Sequence, residues 1–108
     1  MAYEATGPVK HKVVNVSSAA SNAIVALVTG KKIRVLSYTL VPAADVTVTW
    51  EDGDGNDLIG PMALGIKGGV AAPEVQAGHQ ETPTSKALHL LLGSAVQVGG
   101  SLTYQEVT

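Results

Sequence analysis

Val46-Thr-Val-Thr-Trp50, followed by the turn-forming run Asp52-Gly-Asp-Gly-Asn56, decides the fold class. Successive side chains of a strand point to opposite faces. Val46, Val48 and Trp50 therefore share one face, and Thr47 and Thr49 share the other. Asp, Asn and Gly accept tight-turn conformations, so the chain reverses here and a hairpin partner follows. That partner is Asp57 to Leu64, interrupted by Gly60-Pro61. Proline cannot donate to a ladder, which predicts a bulge or a sheet edge.

The same grammar extends in both directions. His11 to Val16 places Lys12, Val14 and Val16 opposite Val13. Ala23 to Thr29 is a strand candidate rich in β-branched Ile24, Val25 and Val28, although Ala20, Ile24, Leu27 and Val28 also fit one helical face. Ile33 to Val41 is the longest candidate, with Ile33, Val35 and Val41 on one face and Leu36, Tyr38 and Leu40 on the other. Apolar residues on both faces predict a strand covered on both sides, its outer face meeting another subunit or partner. Gly65 to Pro83 reads as a long surface connection with a short strand around Val70. Ser85 to Leu92 directs Leu88, Leu90 and Leu92 inward and His89 away from them. Ala95 to Val98 is a short strand, Gly99-Gly100 a turn, and Ser101 to Val107 the closing strand.

Twelve Gly and five Pro leave few windows for an amphipathic helix. The outcome is about eight short strands, an all-β antiparallel sandwich of jelly-roll-like type. The 108 residues suit one domain. Residues 1–9, closed by Gly7-Pro8, read as an extended N-terminal arm, and residues 10–108 as the β-sandwich domain.

Hydrophobic residues make up 45% of the chain and charged residues 15%, so a core can form while charge covers little of the surface. The net charge of -2 provides no basic field for nucleic acid. No cysteine is present, which excludes disulfides and thiolate metal sites. No signal-peptide layout is visible at the start, and no apolar run reaches the roughly 20 residues of a membrane span. Synthesis in a cytoplasm and no membrane partner are the expectations.

Chemistry-bearing constellations are weak. Asp52, Asp54 and Asn56 have the alternation of a calcium loop, but Asp57 stands where that loop needs Gly, and Ala63 where it needs a bidentate Glu. A solvated hairpin turn is the simpler reading. His11, His79 and His89 are not at metal-ligand spacing. His79 near Glu81 lacks a nucleophile context. No phosphate loop and no nucleophile elbow is present. Trp50 and Tyr104 read as core, whereas Tyr38 shares its face with Leu36 and Leu40 and is a candidate anchor. No catalytic, cofactor or metal residue is assigned, and the chain is expected not to be an enzyme. The candidate partner or oligomer interface is Tyr3, Val9, Leu36, Tyr38, Leu40, His79 and His89.

Several stretches taken together carry a resemblance. They are Gly30-Lys-Lys-Ile-Arg-Val-Leu-Ser-Tyr38, the Thr-rich strand ending at Trp50, Glu81-Thr-Pro83, Ala87-Leu-His-Leu-Leu-Leu92, Ser94-Ala-Val-Gln-Val-Gly-Gly100 and Leu102-Thr-Tyr104. From about Asn22 to Val107 the chain resembles small β-sandwich virion structural proteins of tailed bacteriophages. The resemblance implies a capsid decoration or cement protein, often a trimer, bound to the major capsid protein on the outer surface of the head. Tail or fibre components, and a carbohydrate- or receptor-binding module, are the alternatives. A hydrolase or isomerase on a cupin-like barrel would need clustered His and Glu, which the scattered histidines do not provide.

Overall fold

The computed structural model describes residues 8–108, and every regular element in it is a strand. The strands are β1 (Lys10–Val16), β2 (Ser21–Val25), β3 (Lys32–Pro42), β4 (Val46–Asp52), β5 (Asp57–Leu64), β6 (Val70–Ala72), β7 (Gln80–Glu81), β8 (Leu88–Leu92) and β9 (Val98–Val107). The arm expected at residues 1–9 lies mostly outside the described residues, as does Tyr3.

Two antiparallel sheets form a sandwich. One has the order β1-β9-β3-β6, with β7 also on β3, and the other has the order β2-β8-β4-β5. β1 pairs with β9, β2 with β8, β3 with β6 and β7, and β4 with β5. First pairs with last and each inner pair follows, as in one long hairpin rolled into two layers. This is jelly-roll connectivity. β6 and β7 run along one strand, β3, so they form a single edge strand interrupted at residues 73–79. Thr82 prolongs that pairing, because its hydroxyl accepts the Ile33 amide at 3.0 Å and its own amide donates to the Ile33 carbonyl.

Core residues come from the inward face of each strand. Val46, Val48 and Trp50 of β4 and Leu88, Leu90 and Leu92 of β8 are buried, matching their alternation in the sequence. They face Ile33, Val35, Tyr38 and Leu40 of β3 and Leu102 of β9. Fully burying such a side chain contributes about 1.5–3 kcal/mol. Ser21–Val25 is a strand, which settles the helix-or-strand ambiguity around Ala23, but it stops before Ala26. β5 is an edge strand whose pairing slips between Val48–Met62 and Trp50–Ile59, around Gly60-Pro61.

Two expectations are corrected. Gly99-Gly100 is no turn, because both residues lie inside the ten-residue β9 and Ala95–Gln97 precede it as non-strand chain. The second correction concerns β3. Its pairing with β9 slips between Val35 and Ser37, so a bulge at Leu36 resets the alternation. Ile33 and Val35 before the bulge and Tyr38 and Leu40 after it all enter the core, and Val41 turns outward at 45% exposure. The strand has one apolar face, not two.

Candidate interaction surface

The β3 bulge turns two of the residues expected at an interface, Tyr38 and Leu40, into the core. Leu40 is fully buried and Tyr38 is 6% exposed. The Tyr38 ring meets Trp50 edge to face across the sandwich, and its hydroxyl lies 3.9 Å from Met62 Sδ. Burial raises the Tyr38 pKa, against a smaller opposing effect of Trp50. Leu36 is also buried, lying on the bulge where the β6–β7 connection crosses it and the Val75 amide donates to its carbonyl. Val9 is half exposed and lines a small cleft with Arg34, Leu36 and Glu74. His79 is exposed; its Nε2 donates to the Pro73 carbonyl at 2.6 Å and its ring stands edge-on to Tyr38. His89 lies on the other sheet. Among the described members of the set, Val9 adjoins Leu36 and His79 adjoins Tyr38, while Leu40 is in the core and His89 is on the opposite sheet.

A different surface emerges from the strand register. On the outside of the larger sheet, His11, Thr103 and Ser37 align across β1, β9 and β3. The next outward row is Val13, Ser101, Thr39 and Ala71, and the third is Asn15, Gly99 and Val41. Ser37 and Thr103 hydroxyls share a 2.6 Å hydrogen bond, which ties up polarity within the face. No Asp, Glu, Lys or Arg occurs in these three rows. Val13 is 64% exposed, the most of any large hydrophobic side chain described. The sequence signalled half of this surface, through Val13 opposite Val14 and Thr103 opposite Leu102. It did not signal that these half-faces adjoin.

The outer face of the smaller sheet is more polar. Glu51 and His89 are register partners on β4 and β8. Ser21 of β2 donates to Glu51 Oε1 at 2.9 Å and contacts His89 Nδ1 at 3.0 Å. With the serine proton on Glu51, Nδ1 carries the proton of the second bond. The hydroxyl lies between the carboxylate and the imidazole, so the chain of bonds runs His–Ser–Glu and cross-ties three strands. A nucleophilic triad would instead put the imidazole between them.

The acidic turn is used internally. Asp52 is 1% exposed, and its Oδ1 accepts the amides of Asp54 at 2.9 Å and Asn56 at 3.0 Å. The Asn56 side chain also donates to Asp52, and Lys86 pairs with Asp54 at 2.7 Å. Burial pushes the Asp52 pKa up. The Asn56 and Asp54 amides, the Asn56 side chain and the Lys86 charge outweigh it, and the net shift is downward. The Asp54 carboxylate raises the Lys86 pKa through hydrogen bonding and charge. A carboxylate that closes its own turn is a hairpin device. Among the described residues no three His, Cys, Asp or Glu side chains are grouped to hold a metal ion.

No family model, no curated protein and no solved structure matches this chain.

Proposed function

We propose that this chain works by surface contact and not by chemistry, as a structural protein of a tailed-bacteriophage virion. In this reading it decorates the outer surface of the head, holds neighbouring units of the major capsid protein together and acts as a homo-oligomer, with a trimer favoured. The observation that carries the docking role is the uncharged patch formed by three rows on the outer face of β1, β9 and β3, with Val13 and Val41 exposed on it. Such a face loses little on desolvation because it has no ion to strip of water. Depletion of charge at the centre of a surface is the compositional mark of an interface core. The capsid as the docking surface comes from the resemblance in the strand and turn patterns.

The test is the oligomeric mass by light scattering over a wide concentration range, followed by co-sedimentation with empty capsids. Support is a stable trimer that pellets with the shells. A chain that stays monomeric at every concentration and does not pellet with capsids overturns the proposal.

A further inference from the structure

At one end of the four-stranded sheet lies an open cleft of about 450 Å³, within the roughly 300–1,000 Å³ typical of small-molecule sites. The sequence explains why it is there. Thr47 points outward from β4 between two positions that carry almost no side chain. Ala63 of β5 is its register partner on one side. Gly93, just past β8, donates its amide to the Thr47 carbonyl at 2.9 Å on the other. Small residues on both flanks leave a trough beside Thr47.

Three polar side chains line this trough: Asp45, Thr47 and Ser94. Asp45 is held in place because its Oδ1 accepts the Ile66 amide at 2.8 Å. Its second oxygen has no partner among the described residues, nor do the Thr47 and Ser94 hydroxyls. Ala63 supplies the exposed apolar surface, with Leu64 directed into the core behind it, and no Lys or Arg lines the cleft. A ligand here must offer hydroxyl donors to a carboxylate, exchange hydrogen bonds with two hydroxyls that both donate and accept, and lay a C–H surface on Ala63. Phosphate, sulfate and carboxylate groups meet Asp45 with no cation to offset it.

We propose that this cleft binds one ring of a neutral saccharide, with Asp45 accepting from adjacent ring hydroxyls and Thr47 and Ser94 bonding their neighbours. The site is separate from the uncharged face of the larger sheet. It does not depend on the virion reading: a chain that fails to bind capsids but binds sugar leaves it intact.

The experiment is a titration of ¹⁵N-labelled protein with free glucose, galactose, mannose and N-acetylglucosamine to high-millimolar concentration, followed by amide shifts. The expected result is a saturable shift of Thr47, Gly65, Gly93 and Ser94 together with at least one sugar. Gly93→Ala adds a Cβ 3.5 Å from the Thr47 carbonyl oxygen and 3.6 Å from its Cβ, ordinary contacts that leave the fold intact while raising the floor of the trough. It should weaken binding about tenfold or more. Asp45→Asn keeps an oxygen for the Ile66 amide and removes the carboxylate, and it should weaken binding likewise. No movement of these amides with any of the four sugars overturns the proposal. So does binding that both variants leave unchanged.

Discussion

Tyr38 and Trp50 meet edge to face across the sandwich, with ring centroids 5.4 Å apart and planes inclined at 70°. One ring comes from β3 and the other from β4, so the contact ties the two sheets together. Trp50 is fully buried. Trp50→Ala should cost about 3–5 kcal/mol, read as a drop in the urea midpoint, because the cavity cannot be refilled from either sheet. Tyr38→Phe loses the long contact to Met62 and the interaction of the hydroxyl with Trp50, and should cost about 1 kcal/mol. Neither Tyr38 nor Leu40 is available to a partner, so Tyr38→Phe should leave the oligomeric mass unchanged.

How much of this was legible depended on whether alternation stayed in phase. In β4 and β8 it never slips on the inward face, and Trp50, Leu88, Leu90 and Leu92 fall where period two places them. In β3 a single extra residue at Leu36 inverts the phase, and Tyr38 and Leu40 pass from an imagined outer face into the core. A bulge of this kind is fixed by pairing with β9, which lies some 66 residues away at Ser37–Thr103. Local patterns do not contain it. The acidic turn was readable because the side chains of Asp52, Asp54 and Asn56 bond only to near neighbours and Lys86. The Ser21–Glu51–His89 tie and the uncharged face were not, since each assembles residues from three strands.

Gly100 should be far less replaceable than its neighbour. Its φ of +152° lies where L-residues strain, and a Cβ there would overlap the Thr39 carbonyl oxygen. At Gly99 the nearest atom to an added Cβ is the Val14 carbonyl oxygen at 4.0 Å. Gly100→Ala should cost more than about 3 kcal/mol and deplete soluble protein, with Gly99→Ala within about 1 kcal/mol of the parent. Equal melting temperatures for the two variants would contradict the geometry.

Asp52 gives the fold an acid-side dependence of known sign. Its folded pKa lies below the ordinary carboxylate value, so the unfolded chain takes up the proton first as pH falls. The stabilisation is fully present above about pH 4, the ordinary carboxylate range, and is lost as pH falls through the depressed value. Urea midpoints across a pH series should decline on the acid side. Asp52→Asn should flatten that decline while lowering stability at neutral pH, because one amide oxygen replaces a charged acceptor for two backbone amides.

Gln80 offers a test of the opposite sign. It is 7% exposed, and neither its Oε1 nor its Nε2 finds a hydrogen-bond partner among the described residues. Burying an amide without partners costs free energy that an apolar side chain of similar length does not incur. Gln80→Met should therefore raise stability by about 1–2 kcal/mol. A decrease in the urea midpoint would show that the Gln80 amide is satisfied after all.

The uncharged face of the larger sheet makes the sharpest separation between folding and docking. Val13 is paired with Ser101 and Val41 with Gly99, in adjoining rows on opposite sides of β9, and both point to solvent. Placing a carboxylate at either site removes little buried area, so Val13→Asp and Val41→Asp should change the stability of the isolated chain by no more than about 0.5 kcal/mol, apart from a small loss of strand propensity. In an interface the same carboxylate must be desolvated without a partner, which costs several kcal/mol and lowers association by orders of magnitude. Light scattering and capsid co-sedimentation on the two variants should show folded protein that has lost its assembly or its shell. Lys31→Asp, at a turn off this face, serves as the charge control and should behave as the parent. If both valine variants assemble and bind shells like the parent, the docking surface is elsewhere, and the polar outer face around Ser21, Glu51 and His89 becomes the one to mutate.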